Sequence, residues 1–523
     1  MVRRYAVTEK GGIDWSSLWK KEDWLAVWLG FFIIALMLVL IGLGGLKILT
    51  PKFKWTTAGE LASFIRDTSP AVEKLVKAAE EKGDNATKEK ILSLNAAMDG
   101  GDRKAIGEAA KKLSERAKDI QDEGLKKKVS KLGKDVTGEA GNLPAKVFSG
   151  DNVLLAVYIG IAYLIMSIIA MALMGEKIGS FIAGFPVVFI LAWASQFIAG
   201  NYTVLYYGVE YVLWCLFLGL FVSNVIGVPG WLAVAVKTEF YIKTGLVILG
   251  SGILFGEIVQ AGAYGIVQAL LVVSVIWYLT FWIAKRLRVD DDFAAILSSA
   301  VSICGVSAAI ATAGAVKGDP KKLSYTTSIV LICAIPMLLF QPMISKSMGI
   351  PDIVAGAWLG GTLDTSGSVV AAGALISDTA MKTGVIVKMS QNVLIGVAAF
   401  ILAVVWTFKG KTEPGVEKPG LMEIWYRFPK FVLGFMIASL VFSFIIDPKT
   451  VADTKGVLGS LRTWWFALAF TSIGLETRFT DLAKLGGGRP ALAFLLGQLI
   501  NIFWTLFLAY LLFGGILFPA PKL

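Results

Sequence analysis

The sequence predicts an all-α polytopic membrane protein of about 13 transmembrane helices, with inverted repeats and broken crossing helices. Three observations predict it. Of 523 residues, 56% are hydrophobic and 17% charged, and the mean hydropathy is +0.69, which excludes a soluble globular chain. About 13 apolar runs approach the ~20 residues needed to span a bilayer. Two of those runs carry helix-breaking motifs: Ser302-Ile303-Cys304-Gly305-Val306-Ser307-Ala308-Ala309 and Gly360-Gly361-Thr362-Leu363-Asp364-Thr365-Ser366-Gly367-Ser368. In hydrocarbon every backbone N–H and C=O needs a partner, so irregular backbone is tolerated only where it is buried in protein or lines a cavity. A carboxyl such as Asp364 inside a membrane segment is costly and marks a pathway or a binding site.

The runs fall near 23–47, 152–174, 178–200, 206–227, 240–259, 264–287, 292–316, 323–345, 353–377, 382–408, 430–447, 460–478 and 490–513. The first is too long for a signal peptide and lacks a small-residue cleavage site, so a retained anchor helix is expected. Basic residues set the orientation. Arg3, Arg4, Lys10, Lys20 and Lys21 precede the first span and place the N-terminus in the cytoplasm. Alternation then puts Lys285, Arg286 and Arg288 inside, with Lys409, Lys411, Lys418, Arg427 and Lys430, and with Arg478, Lys484 and Arg489. Lys317, Lys321 and Lys322 fall outside. Either that loop is an exception or the segment before it re-enters instead of crossing.

Residues 51–150 hold 20 of the chain's 50 Lys/Arg and 16 of its 39 Asp/Glu. Stretches such as residues 71–80 place apolar side chains at helical spacing between charges, and Gly83, Gly100, Gly101, Gly124 and Gly141 punctuate them. A small helical hairpin or bundle with a thin core is expected here, extracytoplasmic, between the first two spans. It reads either as a partner-binding or gating cap or as an insertion without a transport role. The chain thus divides into an N-terminus with its first helix (1–50), the inserted domain (51–150) and a transmembrane transporter domain (151–523).

Cys215, Cys304 and Cys333 all lie in apolar runs, which gives no disulfide framework and no metal-ligand spacing. No histidine is present, removing the usual proton shuttle. The net charge of +11 does not point to nucleic acid, since no basic stripe interleaves with aromatics; membrane orientation accounts for it.

An internal repeat is visible. Gly250-Ser251-Gly252-Ile253-Leu254-Phe255-Gly256-Glu257-Ile258, followed by Gly262, matches Gly474-Leu475-Glu476-Thr477-Arg478-Phe479-Thr480-Asp481-Leu482, followed by Gly486, at several offsets. The copies end the fifth and twelfth runs, an odd separation, so they run in opposite directions, as inverted transporter repeats do. This places the crossing broken helices at 250–256 and 471–477, with the two small-residue motifs as cavity lining beside them.

Within the second motif, Gly360, Gly361 and Gly367 loosen the helix and free backbone groups. Thr362, Thr365, Ser366 and Ser368 add hydroxyls, and Asp364 a charge or a donor. Half-helix N-termini attract anions, while carbonyls and a carboxylate suit Na+ or H+. Small-residue packing between helices is the competing reading for the serines. In the first motif, Cys304 has no nearby base or spaced partner cysteine and reads as a small neutral lining residue. Lys388 and Asn392 lie one turn apart in the tenth run with Gln391 between them. Lys388 pairs with Asp364, supplies charge to an anionic substrate, or snorkels to the interface; these stay open. Glu239 and Lys243 read as interface residues, and Glu476 and Arg478 as a pair. No phosphate loop ending in Lys-Ser/Thr, HExxH, GxSxG or zinc spacing occurs, so the chain encodes no ATP engine and is expected not to be an enzyme.

The Ser-Ile-Cys-Gly-Val-Ser-Ala-Ala segment at 302–309, the Thr-Leu-Asp-Thr-Ser-Gly-Ser-Val-Val-Ala-Ala-Gly segment at 362–373 and the Ile-Gly-Leu-Glu-Thr segment at 473–477 resemble the YeiH family of sulfate exporters, also called the UPF0324 membrane family. The resemblance covers about 150–513 and the first span, and skips 51–150. Many members carry His-Asp where this chain has Leu363-Asp364. The resemblance implies the fold of cation/proton antiporters and bile-acid symporters, with two inverted five-helix repeats.

The expected function is secondary active transport of a small anion, sulfate or an organosulfonate, by alternating access. The alternative is a Na+ or proton-coupled cation antiporter with Asp364 as carrier. The expected substrate site comprises Ser302, Cys304, Gly305, Ser307, Gly361, Thr362, Thr365 and Ser366, with Gly250, Ser251, Thr471 and Ser472 at the crossover. Asp364, Lys388 and Asn392 are the ion-coupling candidates. No cofactor is expected beyond Na+ or H+ as coupling ion, and no metal or nucleic acid. The expected location is the inner membrane, multi-pass. A homodimer and a partner for 51–150 stay open.

Overall fold

The computed structural model describes residues 16–207, 209–408, 422–478, 480 and 488–521. Outside these lie Arg3, Arg4, Lys10, Lys409, Lys411, Lys418 and Lys484, together with Phe479, Asp481, Leu482 and Gly486 of the second repeat copy. The described residues are helical throughout apart from turns, loops and one isolated bridge, Trp55 to Asn201. Among them, eight helices are long and apolar enough to cross a membrane, and shorter apolar helices accompany them. The protein is an all-helical polytopic membrane protein.

The chain forms two compact units, one of residues 49–161 with 193–214, the other of the remainder. The first includes four successive helices of 14 to 24 residues, α1 (Ala58–Glu81), α2 (Asn85–Gly100), α3 (Arg103–Arg116) and α4 (Glu123–Gly141). Each starts on a side-chain cap: Thr57, Asp84, Asp102 and Asp122 accept backbone N–H groups of the first turn. Their core is aliphatic, with Leu75, Ile91, Leu94, Ile106, Leu113, Val129 and Val136 buried together.

Glu60 closes the α1 capping box with Thr57 and also binds the segment after residue 200. It accepts from Thr57 N (2.8 Å), Asn201 Nδ2 (3.1 Å) and Thr203 Oγ1 (2.5 Å). Partial burial raises its pKa, but the Thr203, Thr57 and Asn201 hydrogen bonds outweigh that and bring it to about 2. A depressed carboxyl contributes stability that is present above its unfolded pKa and lost as pH falls through the folded one. The melting difference between wild type and Glu60→Gln, measured on the full chain in detergent, is therefore expected to shrink between about pH 5 and pH 2. A constant difference over that range contradicts the assignment.

The second unit carries the elements around the two helix breaks. These are α5 (Glu22–Met37, prolonged by a π turn), α6 (Thr238–Gly250), α7 (Phe255–Arg286), α8 (Asp291–Ser299, continuing as a π turn to Cys304), α9 (Gly305–Ala315), α10 (Pro320–Ser347), α11 (Asp352–Thr362), α12 (Ser366–Ile376), α13 (Asp378–Phe408), α14 (Lys430–Phe444), α15 (Pro448–Glu476) and α16 (Arg489–Phe513).

Breaks occur at 304–305 and 363–365, and each folds its segment back on itself. Lys322, just after α9, pairs at 3.0 Å with both Asp290 and Asp292 at the start of α8, and a Cβ at Gly318 would lie 2.7 Å from Ile296. A straight helix over 291–315 would hold its ends roughly 35 Å apart at 1.5 Å per residue. The second segment does the same against α13. Gly384 touches both Gly356 of α11 and Val369 of α12, and Gly373 of α12 packs on Met381. Thus α11 runs parallel to α13 and α12 antiparallel to it. One membrane-length helix, α10, separates the two hairpins, so they enter from opposite sides. The inverted arrangement is carried by these hairpins.

Two expectations are thereby corrected. The pair of broken crossing helices at 250–256 and 471–477 is not found: residues 471 and 472 sit inside the continuous α15, and the interruption after Gly250 is a tight turn joining α6 to α7. Nor do the 292–316 and 353–377 runs each cross as one straight span, since both fold back at their breaks. Re-entry also puts Lys317, Lys321 and Lys322 on the same side as Lys285, Arg286 and Arg288, which removes the exception to the charge rule. The 430–447 and 206–227 runs form short helices, and 460–478 belongs to α15, whose first half is polar.

Hairpins of irregular backbone survive in a membrane only if protein covers them. For residues 291–315, 78% of the most apolar window is buried, against 22–44% for the other seven long helices. Every residue from Val354 to Leu363 is buried.

Candidate functional site

The hairpin tips meet. Cys304 (φ −151°, ψ 63°) ends the first arm, and Gly305 (φ +33°, ψ −109°) starts the second in a conformation that only glycine adopts readily. A Cβ at Gly305 would lie 2.9 Å from the Asp364 carbonyl oxygen and 3.1 Å from its Cβ. In the other tip Leu363 is extended, and Thr365 caps α12 by accepting from Ser368 N at 3.1 Å.

Each tip ends one helix and begins another, leaving carbonyls on one side and N–H groups on the other. The carbonyls are met by side chains of three flanking helices. From α13, Lys388 Nζ donates to Ile303 O (2.7 Å) and to Gln391 Oε1 (2.8 Å). Gln391 Nε2 donates to Ser302 O (2.8 Å) and to Gly361 O (3.3 Å). From α16, Asn501 donates to Val301 O (3.2 Å) and Gln498 to Thr362 O (2.9 Å). From α7, Gln268 donates to Ala357 O (2.8 Å). A positive Lys388 beside a helix C-terminus also suits the helix dipole.

Lys388 is 1% exposed and does not snorkel, and no ion pair within 4.0 Å joins it to Asp364. Its role here is to hold the first tip. Lys388→Met leaves two buried acceptors without a donor, at about 1–3 kcal/mol each. Melting in detergent is expected to fall accordingly, and an unshifted transition contradicts this role.

The N–H side faces a cavity of about 20 Å³, room for about one water molecule. It is lined by Cys304, Val306 and Ser307 from the first tip, Asp364, Thr365 and Ser366 from the second, Asn392 and Ile395 of α13, Glu239 of α6, and Pro429 with Phe431. Asn392 Nδ2 donates to Ser366 Oγ at 3.2 Å. Neither Asp364 carboxyl oxygen, nor Asn392 Oδ1, has a hydrogen-bond partner among the described residues, and Asp364 is 1% exposed. A buried acceptor in that condition is costly. The geometry therefore combines two helix N-termini, which favour negative charge, with acceptors that favour a proton or a cation.

Of the sequence-derived candidates, Cys304, Ser307, Asp364, Thr365, Ser366 and Asn392 line this cavity. Gly305 forms the tip contact itself. Ser302 and Thr362 turn back, donating to Ser298 O and Trp358 O, and Gly361 faces Gln268 and Thr505. Gly250, Ser251, Thr471 and Ser472 are not in the lining: Gly250 packs on the Phe435 backbone and Ser251 donates to Ile248 O.

Glu239 and Lys243 belong to one cluster of charges at the starts of α5 and α6. Lys243 Nζ sits 2.8 Å from Glu22, 2.8 Å from Asp23 and 3.4 Å from Glu239, joining α5 to the cavity edge. Arg478 donates to Val228 O and forms no ion pair with Glu476 among the described residues. Sequence reasoning missed the capping amides Gln268, Gln498 and Asn501. Amide side chains inside apolar runs were the available signal. Pro429 and Phe431 gave none.

A family described as "Conserved hypothetical protein 698" matches residues 183–493. A UPF0324 membrane protein of Rhodopirellula baltica is 42% identical over 366 residues, covering 68% of this chain and 67% of that protein. One of Nitratidesulfovibrio vulgaris is 39% identical over 363 residues, with 67% and 62% covered. One of Nitrosomonas europaea is 33% identical over 357 residues, with 58% and 73% covered. The chain thus spans about two thirds of the length of these relatives. No solved structure matches. On the family match and these identities, the chain belongs to the UPF0324 membrane-protein family.

Proposed function

We propose that this protein is a secondary active transporter of a small anion, sulfate or an organosulfonate, working by alternating access at the hairpin tips, in the inner membrane with its N-terminus in the cytoplasm. The observation that carries this reading is the convergence of two half-helix N-termini, from hairpins of opposite entry, on one small cavity. A cavity of about 20 Å³ is far smaller than sulfate, so binding requires one tip or the other to move aside. That movement, from either side, is what alternating access asks of the fold.

A cation antiporter is the second reading, favoured by one observation: the charged side chains lining the cavity, Asp364 and Glu239, are both acids. Counterflow in proteoliposomes separates the two. Radiolabelled sulfate or methanesulfonate is expected to accumulate against an unlabelled excess of the same anion inside. ²²Na+ exchange without exchange of either anion would instead establish the antiporter.

A further inference from the structure

We propose that the anion and a neutralising monovalent cation, a proton first, occupy the cavity together, so that Asp364 must lose its charge before the anion binds and the protein is a symporter. The proposal rests on the anion-transport reading above.

Two independent features point to two ligands of opposite sign. The starts of α9 and α12, each 11 residues long, reach the cavity through Val306, Ser307 and Ser366 and offer their positive ends to an anion. The three unpartnered acceptors, both Asp364 oxygens and Asn392 Oδ1, are buried at the same place and ask for a proton or cation. Charged Asp364 sits at the tip beside those N-termini, where it occupies the field an anion would use and repels it at close range. Neutralised, it releases the N-termini and gains a donor of the kind that Asn392 Oδ1 lacks. Carboxyl neutralisation and anion binding then favour one another, and that linkage is reciprocal.

The other ionisable groups around the site leave this logic intact. Lys388 on α13 is engaged by Ile303 O and Gln391 and is not in the cavity lining, so it does not neutralise Asp364 by direct contact. Glu239 on α6 is tied to Lys243, which also holds Glu22 and Asp23 of α5. Cys304 in the first tip and Cys333 on α10 are neutral as thiols. α7 and α16 present the amides Gln268, Gln498 and Asn501, and α15 presents Ile473 against Gly367. A cation and anion that move together run down the cation gradient, so an inward proton gradient drives uptake. This is the reverse of export.

Wild-type protein tests the proposal without any substitution. Proteoliposomes carry a trapped pH dye, with the membrane potential clamped by equal K+ and valinomycin, and receive an inward sulfate gradient. Sulfate influx is expected to acidify the lumen, and sulfate affinity is expected to fall about tenfold per pH unit above the titration of Asp364. In Asp364→Asn the affinity is expected to lose its pH dependence and the acidification to vanish. A parallel arm reads ²²Na+: sulfate-driven ²²Na+ uptake without acidification makes sodium the neutralising cation. Sulfate influx that alkalinises the lumen, or that moves neither proton nor sodium, overturns the symport while leaving anion transport standing. Absence of any sulfate or methanesulfonate counterflow overturns both.

Discussion

Gly305→Ala is expected to abolish transport and to lower the melting temperature of the purified protein. The position has φ +33°, and an added Cβ would lie 2.6 Å from Val330 Cγ1 and 2.9 Å from the Asp364 carbonyl oxygen. The backbone conformation costs a non-glycine residue about 1–3 kcal/mol, and the crowding adds about 1–3 kcal/mol. The two contributions are separable. Val330→Ala on the same chain relieves the side-chain clash and is expected to recover part of the melting temperature. It does not recover transport, because the Asp364 backbone still has to move. Full recovery of transport in the double variant would show that the contact between the tips is not required.

The second large effect is at Asp364. Asp364→Asn keeps the size of the side chain but removes its charge and its titration. Concentrative sulfate uptake under a proton gradient is expected to fall about 5- to 150-fold, the usual range for a coupling between two bound ligands. Initial uptake rates with and without the gradient provide the check. A gradient-driven uptake equal to that of wild type removes Asp364 from coupling. Thermal stability is not expected to fall, because neither carboxyl oxygen accepts a hydrogen bond in the native protein. This separates Asp364→Asn from Lys388→Met, where buried acceptors are orphaned.

Much of the site was legible in the sequence because the physics of membrane backbone is strict. Glycine and hydroxyl clusters inside apolar runs, with an acid among them, had to be buried or line a cavity, and six of the fifteen candidate residues do line it. What periodicity could not reveal was the direction of the chain after each break. Residues 291–315 have the length and hydropathy of a span, and nothing local distinguishes a straight broken helix from a hairpin. The misplaced lysines Lys317, Lys321 and Lys322 carried that information as a violation of orientation, which Lys322 resolves by its ion pairs with Asp290 and Asp292. The repeat at 250–258 and 474–482 misled for a different reason. It marks two helix ends of similar composition, and composition at a helix end says little about what packs against it. The partners of Glu239 could not be read from the sequence, because Lys243, Glu22 and Asp23 come together only through the packing of α5 on α6.

Protection of Cys304 tests most directly whether the anion sits between the hairpin tips. Cys304 lines the cavity, and Cys215→Ser with Cys333→Ser leaves it the sole thiol in the chain. The reading predicts that a methanethiosulfonate reagent modifies Cys304 as the tips open. Sulfate should slow that reaction with the same half-saturating concentration that governs sulfate counterflow. A modification rate that saturating sulfate leaves unchanged, in vesicles where counterflow proceeds, would place the anion elsewhere and contradict the account.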